Sequence, residues 1–470
     1  MVFYFVQRGE TLYAVAKRYQ TTVHAIVVAN RLEDPNAICP GQALIIPRPG
    51  EVPSPPPGGI VHLVRAGETI FTLGRTFGAS PQEILRANQV AHPEFILPGQ
   101  QLVIPEQTEA REDWPMLGRT PGRAGSGPVV LEGAPVEGWT FAPRRNAGVK
   151  PSAPVIRYDR VYVGLGDGQF HAICRESGRV KWRVAAGDTE SLTLLGDHAL
   201  ATPAVYDGLA YLAGPDGVMK AVDAHSGRPV WKVITGGPIT SSPAVWDGLV
   251  YFGSWDEHLY ALEAKTGAIV WRRHVAAPIY QPVAVGDDHL FVVSADGLLW
   301  ALGRETGDVY WKASGDGDGS PVFAEVVLLT GGRAYDPTNG EVLWDIDTSG
   351  TWPVSGLDQV IFPGGTVDLF TGALLRSPVP GHVGASGGRE CVPPPPVPVV
   401  RSHVATGAML LGVGDDRRLH AWDPGNGKVH WTAELNEASE QPPGVARGQV
   451  VVSLADGSVR TYRFKQPGEK

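Results

Sequence analysis

Apolar and polar positions alternate over most of the chain in short runs broken by turn residues. The clearest stretch is 241–275, SSPAVWDGLVYFGSWDEHLYALEAKTGAIVWRRHV. AVW, LVYFGS, HLYALEA and AIVWRRHV have the period and composition of strands, and Asp247-Gly248, Asp256-Glu257 and Thr266-Gly267 stand between them. Asp-Gly between apolar runs signals a hairpin, because both central residues of the tight turn need φ > 0. The stretch therefore predicts one sheet of four antiparallel strands, and its pattern recurs on both sides.

The most specific part of the unit is its end, a Gly followed four residues later by Trp. It occurs as AICRESGRVKW (172–182), AVDAHSGRPVW (221–231), ALEAKTGAIVW (261–271), ALGRETGDVYW (301–311), AYDPTNGEVLW (334–344) and AWDPGNGKVHW (421–431). Trp182, Trp231, Trp271, Trp311 and Trp344 are 49, 40, 40 and 33 residues apart. Four strands per repeat at such a period predict the blades of a propeller. Blades are expected to begin at Ser152, Ala201, Ser241, Gln281, Ser320, Pro353, Ser402 and Gln441. The fifth is short, and the sixth has Arg376 where the Trp is expected. The eighth supplies three strands and stops, and Glu137-Gly138-Trp139-Thr140-Phe141 offers it a fourth. Closing the ring with strands from both ends of the domain removes edges that invite aggregation. The Ala-x-Asp-x-x-x-Gly-x-x-x-Trp repeat resembles that of the pyrroloquinoline-quinone-type propellers, which include quinoprotein dehydrogenases and a non-enzymatic outer-membrane assembly lipoprotein. The resemblance implies that each outer-strand Trp docks on the neighbouring blade near its Gly and donates its indole N–H there. DWPMLGRTPGRAG (113–125) resembles the leader of the same propellers.

The first 105 residues follow a different pattern and repeat once. Residues 2–47 align with 61–105, each reading strand, helix, helix, strand. Leu12, Val15, Ala16 and Tyr19 share a helical face, with Thr11 and Thr69 as N-caps. In the second copy, Ser80, Pro81 and Glu83 begin another helix with a capping box, and Ile84, Leu85 and Ala87 form its apolar side. Gly9-Glu10-Thr11-Leu12-Tyr13, Asn30 and Pro40-Gly41-Gln42 resemble the LysM domain. So do Gly67-Glu68-Thr69-Ile70-Phe71, Asn88 and Pro98-Gly99-Gln100. That resemblance implies binding of N-acetylglucosamine-containing glycan, peptidoglycan or chitin, between the first loop and the loop before the last strand. The groove residues it implies are Glu10, Thr11, Leu12, Pro35, Asn36 and Ile38 in the first copy. In the second they are Glu68, Thr69, Ile70, Pro93, Phe95 and Ile96. The two threonines serve equally as helix caps. Glu10 and Glu68 depart from the family's usual Asp, Tyr13 and Phe71 from its frequent Trp. Gly74 inside a helix costs about 1 kcal/mol, which makes the second copy the looser one.

The expected organisation is multidomain: two small α+β LysM modules of βααβ order, 1–48 and 61–105, and an all-β eight-bladed propeller, 106–470. A proline-rich spacer, 49–60, joins the modules. Glycine and proline are abundant, 59 and 41 of 470 residues, as repeated turns and proline tracts require. A net charge of −9 without any Lys/Arg stripe argues against nucleic acid as partner. No run of eighteen apolar residues suggests a membrane span, and no secretory signal is readable at MVFYFVQRGETLY. Cell-wall or spore-envelope association is the expected location, or the cytoplasm if that start is correct and no spore forms.

Catalytic chemistry is hard to place. Cys39, Cys174 and Cys391 form neither a disulfide framework nor a metal-ligand spacing. The quinoprotein dehydrogenases add an adjacent cysteine pair and an acidic calcium cluster, neither of which transfers to this sequence. Asp316 and Asp318 in SGDGDGS have oxygen ligands for Ca²⁺ but no bidentate Glu follows, so a solvated turn is expected. Cys391, with His382 and His403, falls short of a thiol-hydrolase motif. His171, His258 and His420 are expected as repeat-derived surface residues. The reading is a non-catalytic protein without cofactor or metal, held on peptidoglycan or a chitin-like glycan, whose propeller presents a surface to an unidentified protein. A quinoprotein-like dehydrogenase and a LysM-tethered wall hydrolase stand as alternatives.

Overall fold

The computed structural model divides into two units, Met1–Arg111 and Glu112–Lys470. In the first unit it describes residues 2–6, 15, 17–19, 26, 43–46, 59–64, 73, 84, 88 and 100–105. In the second it describes 116–117, 126–127, 131, 133–144, 146–286, 288–315, 319–324, 327–345, 354–355, 359–362, 365–368, 374–376, 400–406, 409–423, 428–446 and 448–464. Among the described residues no helix is long and apolar enough to cross a membrane.

Each LysM module is framed by an antiparallel pair of strands. Val2–Phe5 pairs with Ala43–Ile46, from Val2↔Ile46 to Phe5↔Ala43. Gly59–Leu63 pairs with Gln101–Pro105, from Gly59↔Pro105 to Leu63↔Gln101. Val6, Leu44 and Ile46 meet helical Val15 and Ile26 in one apolar cluster, while Lys17 and Arg18 of the same helix face water. In the second module Val64, Leu73, Ile84, Leu102 and Ile104 are buried. This is the amphipathic pattern expected of Val15 and Ile84; Leu12, Ala16, Leu85 and Ala87 lie outside the described residues.

Among the described residues the second unit consists of eight sheets: six of four consecutive strands, a seventh with a fifth strand added, and an eighth whose fourth strand comes from the start of the unit. In the third blade the strands are Ala244–Trp246, Leu249–Gly253, His258–Glu263 and Ile269–His274. The turn between the first two has Asp247 at φ 48° and Gly248 at φ 79°, the left-handed pair that Asp-Gly was expected to supply. The first strand of every blade is innermost, and Val155–Arg157, Ala204–Tyr206, Ala244–Trp246, Ala284–Val285 and Val322–Ala324 adjoin in succession. Gly444–Ala446 of the eighth blade then adjoins Val155–Arg157 of the first. Hydroxyls on the segments entering the blades reinforce this inner ring. Thr202 Oγ1 accepts the Ala153 N–H at 3.2 Å, Ser242 Oγ accepts the Thr202 N–H at 2.9 Å, and Ser320 Oγ donates to Gln281 Oε1 at 2.6 Å.

The core is distributed between blades. Val155, Tyr162, Val205 and Leu212 of the first two blades share one cluster. Leu411, Val450 and Val163, from the seventh, eighth and first, share another. Trp182, Trp231, Trp271 and Trp311 bridge to the next blade as the resemblance implied. The Nε1–H groups of Trp182, Trp231, Trp271 and Trp311 donate to the carbonyls of Ala224, Ala264, Arg304 and Pro337 at 2.9–3.0 Å. Their rings lie on the glycine three residues past each carbonyl. A Cβ built on Gly227, itself at φ +73°, would come within 2.6 Å of Trp182 Cγ, so both the turn and the contact need glycine.

The eighth blade is completed by Val136–Phe141, paired from Val459↔Phe141 to Arg463↔Val136. Trp139 behaves as the others do: its Nε1–H donates to Arg175 O of the first blade at 2.7 Å, and it covers Gly178. In the sixth blade Arg376 pairs with Thr366 as Trp271 pairs with Ala261, so it holds the tryptophan's register.

Three features depart from the sequence reading. The seventh sheet has a fifth strand, Ser126–Gly127, parallel to Ala405 and Thr406 of its inner strand. The insertion 186–198 contains a helix, Thr189–Leu194, whose N-cap Asp188 accepts the Ser191 N–H at 2.8 Å. His171 and His420 are buried, not on the surface.

Candidate functional site

In each LysM module the described ladder marks where the two groove loops depart. The chain leaves the first module's ladder at Phe5 and returns at Ala43, directly opposite. The second leaves at Leu63 and returns at Gln101, again opposite. Glu10, Thr11, Leu12, Pro35, Asn36, Ile38, Glu68, Thr69, Ile70, Pro93, Phe95 and Ile96 themselves lie outside the described residues.

Asn88 shows what holds the frame of the second module. Its Nδ2 donates to Ile84 O at 2.6 Å and to Val103 O at 2.7 Å, and its Oδ1 accepts the Val103 N–H at 2.7 Å. A buried amide with both ends satisfied ties the second helix to the closing strand. That explains an Asn at this point of the motif as architecture rather than sugar contact. In the first module Tyr4 packs edge-on against Tyr19 at 5.4 Å, and the Arg18 guanidinium lies 5.3 Å from the Tyr4 ring centre.

On the propeller the titratable groups that the sequence singled out have structural partners. Asp167, Asp216, Asp256 and Asp416 lie in the turn between second and third strands and accept the backbone N–H two residues on, at 3.1–3.2 Å. Each also holds the side chain four residues on. Asp167 meets His171 Nε2 at 3.0 Å, Asp216 meets Lys220 Nζ at 2.9 Å, and Asp416 meets His420 Nε2 at 2.9 Å. Asp256 accepts the Tyr260 hydroxyl at 2.6 Å. One carboxylate clamps an imidazole, an ammonium or a phenol in the same register, so the clamp belongs to the repeat rather than to a reaction. His258 sits two positions earlier on its strand and takes Asp256 O at 2.7 Å through Nδ1. The register thus separates His258 from His171 and His420 by two positions.

The sequence reading also missed the partner ring of each docked indole. Tyr162, Tyr211, Tyr251 and Phe291 stand twenty residues before Trp182, Trp231, Trp271 and Trp311, with ring centres 5.8–6.2 Å apart. The hydroxyls of Tyr162 and Tyr211 donate to the same Ala224 and Ala264 carbonyls that the indoles use. Desolvation pushes the phenols of Tyr162, Tyr211 and Tyr251 well above their ordinary value, so they stay neutral. The fixed offset of twenty was the available signal.

Cys174 ends the third strand of the first blade, where a hydrogen bond with Ser177 lowers its thiol pKa, and no cysteine neighbours it in sequence. Among the described residues no three His, Cys, Asp or Glu side chains converge as a metal site would need. Asp316, Asp318, Cys39, Cys391 and His382 lie outside the described residues.

Known proteins resemble the two units separately. Residues 134–239, 215–360 and 333–467 match the family described as outer membrane protein assembly factor BamB. Residues 4–47 and 62–105 match the LysM domain. The probable autolysin SsaALP of Staphylococcus aureus is 33% identical over 112 residues, 21% of this chain and 39% of that protein. The secreted LysM effector ELP2 of Colletotrichum higginsianum is 27% identical over 113 residues, 21% of this chain and 64% of the effector. This chain thus spans less than two thirds of either relative. Among solved structures, BamB from Moraxella catarrhalis superposes with a TM-score of 0.54 at 17% identity, over 72% of this chain and 100% of that one. A europium-containing methanol dehydrogenase gives 0.59 at 12% identity, over 75% of this chain and 98% of that one. At such identities the likeness is one of fold alone.

Proposed function

Since the chain belongs to the BamB-type repeat family and carries two LysM domains ahead of its propeller, we propose that it binds a glycan through the first unit and a protein through the second. The observation that carries this reading is the pair of LysM matches at 4–47 and 62–105, each framed by its own strand ladder. The glycan is an N-acetylglucosamine polymer, peptidoglycan or chitin-like, and the place of work is the cell wall or a spore envelope. Relatives described as an autolysin and a secreted LysM effector support that setting. Glu10, Thr11, Leu12, Pro35, Asn36 and Ile38 line the first groove, and Glu68, Thr69, Ile70, Pro93, Phe95 and Ile96 the second. Threonine hydroxyls and backbone amides bond the acetamido group while the apolar side chains cover sugar faces. Two weak sites on one polymer raise overall retention through effective concentration. The propeller acts as a non-catalytic scaffold: its conspicuous carboxylates and imidazoles are committed to the clamp that recurs from blade to blade.

Sedimentation with purified peptidoglycan and with chitin tests the assignment. The full chain is expected in the pellet, and a chain beginning at Glu112 in the supernatant. Equal retention of both would move the glycan site onto the propeller and overturn the division of labour.

A further inference from the structure

Turns between second and third strands and connections between successive blades emerge at the same end of a meander propeller, because neighbouring strands run in opposite directions. At that end three aromatic rings from separate parts of the sequence meet. His198 closes the insertion between the first and second blades, Trp255 lies in the turn of the third, and Tyr280 lies in the connection to the fourth. Their ring centres are 5.5 Å apart for His198–Trp255, 5.2 Å for His198–Tyr280 and 5.1 Å for Trp255–Tyr280. The last pair is tilted by 75° and the first by 68°, so the rings form a corner rather than a stack. Trp255 is fixed from behind, its Nε1–H donating to Thr240 Oγ1 at 2.9 Å and its backbone N–H to Pro238 O at 3.0 Å. Trp255 and Tyr280 are half-buried and His198 is exposed. The docked tryptophans, by contrast, each cover a glycine of the next blade; this corner has no place in that repeat.

The charge at this end of the propeller is negative. Asp188, Glu190 and Asp197 belong to the insertion that delivers His198, and among the described residues none of them is in an ion pair. Asp256 adjoins Trp255 in the same turn, and Asp167, Asp216, Asp296, Asp416 and Asp456 occupy the equivalent turns of other blades. Against these, the described basic residues of the same turns and connections are Arg144, Lys150 and Arg417, and Lys220 on the neighbouring strand pairs with Asp216. Aromatic faces offer negative potential to a cation, and carboxylates at the rim add to it, whereas an anionic or neutral partner gains nothing from the second feature.

We propose that the His198–Trp255–Tyr280 corner is the propeller's docking site for an arginine-bearing segment of a partner protein. The guanidinium lies over the aromatic faces, and the carboxylates of the 186–198 insertion balance its charge. Arginine is preferred to lysine because its planar, weakly hydrated cation stacks as well as attracts. This gives a chemistry to the partner of the scaffold reading and rests on that reading only for there being one.

The test uses the full chain and two fluorescein-labelled, end-blocked peptides of alternating glycine, one carrying four arginines and the other four lysines. Fluorescence anisotropy at 0.15 M salt is expected to show the arginine peptide binding several-fold more tightly than the lysine peptide. Trp255→Ala is expected to weaken the arginine peptide about tenfold, and Trp255→Phe, which keeps a ring, much less. His198→Ala changes an exposed side chain and guards against loss of the fold; it is expected to weaken binding about threefold. Asp197→Asn with Glu190→Gln should flatten the salt dependence. No binding by the wild-type chain, equal binding by all the aromatic variants, or a site that takes chitin oligomers instead would each overturn the proposal. Sedimentation of His198→Ala with peptidoglycan is expected to match wild type, so failure here and failure of the glycan reading are separate results.

Discussion

A single indole decides how well two blades adhere, and not every tryptophan decides it equally. Trp271 and Trp139 each cover a glycine and donate to a carbonyl of the next blade. Trp431 is as deeply placed, yet among the described residues its Nε1–H has no acceptor. The eighth-blade residue in the place of Ala264 is Phe464, whose N–H donates to Gly448 O as that of Ala264 does to Gly248 O. Trp431 packs on Phe464 instead, 5.0 Å between ring centres. Trp271→Ala and Trp139→Ala are each expected to cost roughly 3–5 kcal/mol, as loss of a large buried ring does. Arg376→Ala, in the same register without an indole, should cost far less. Trp431→Phe should be nearly neutral, since it removes a buried donor left unpaired at a cost of about 1–3 kcal/mol. Thermal unfolding of the four variants checks the order; a Trp139→Ala midpoint equal to wild type would mean that the ring is not closed there. The docking tryptophans were legible because a Gly and a Trp at constant offset survive changes everywhere else. The tyrosines behind them were overlooked because that position also admits Phe291 and Leu411.

Among elements, the strand Val136–Phe141 has the largest effect for its length. It pairs with Val459–Arg463 on one side only, and Thr461 Oγ1 both accepts the Trp139 N–H and donates to Trp139 O at 3.0 Å. A chain beginning at residue 144 is therefore expected to unfold at lower temperature than one beginning at Glu112. A synthetic peptide of residues 134–143 should restore much of the difference, and the same peptide with Ala at position 139 should not. Calorimetry with and without peptide measures this directly. The strand could be found in the sequence because it keeps the repeat's Trp. The Thr189–Leu194 helix was not foreseen, since a helix of six residues is shorter than the window in which its period shows; the Asp188 cap was its one local sign. Ser126–Gly127 was equally hidden, as two residues carry no periodicity at all.

For the molecule as a whole, division of labour follows from construction. Among the described residues the first LysM module gathers its core in one small cluster, whereas the propeller spreads its core over successive interblade clusters. Resemblance gave the groove residues of the modules, and those positions lie beyond the described residues; the aromatic corner of the propeller went unread because its three rings are 57 and 25 residues apart in sequence. Proximity made by a ring of blades has no linear signature. The fold's kinship with methanol dehydrogenase invites a chemical test. Pyrroloquinoline quinone with Ca²⁺ is expected to give neither a saturable absorbance change nor alcohol or sugar oxidation, because the sequence has no adjacent cysteine pair and the described residues hold no acidic cluster. Quinone-dependent turnover would replace the scaffold reading with an enzymatic one.

Closure of the ring by its first long strand has a mechanical consequence. When the first unit is anchored to an insoluble wall and a partner pulls on the propeller, tension enters the second unit through the chain ahead of Val136. It reaches the two-residue strand Ser126–Gly127 of the seventh sheet first and then Val136–Phe141, an outer edge held by one ladder and one indole. Under load the propeller should shed Ser126–Gly127 and then Val136–Phe141, opening the eighth blade while the four-stranded parts of the other seven sheets stay paired. The ring is thus a spring clasp whose weakest link sits at the tether, and its strength in a single-molecule pull is set by Trp139.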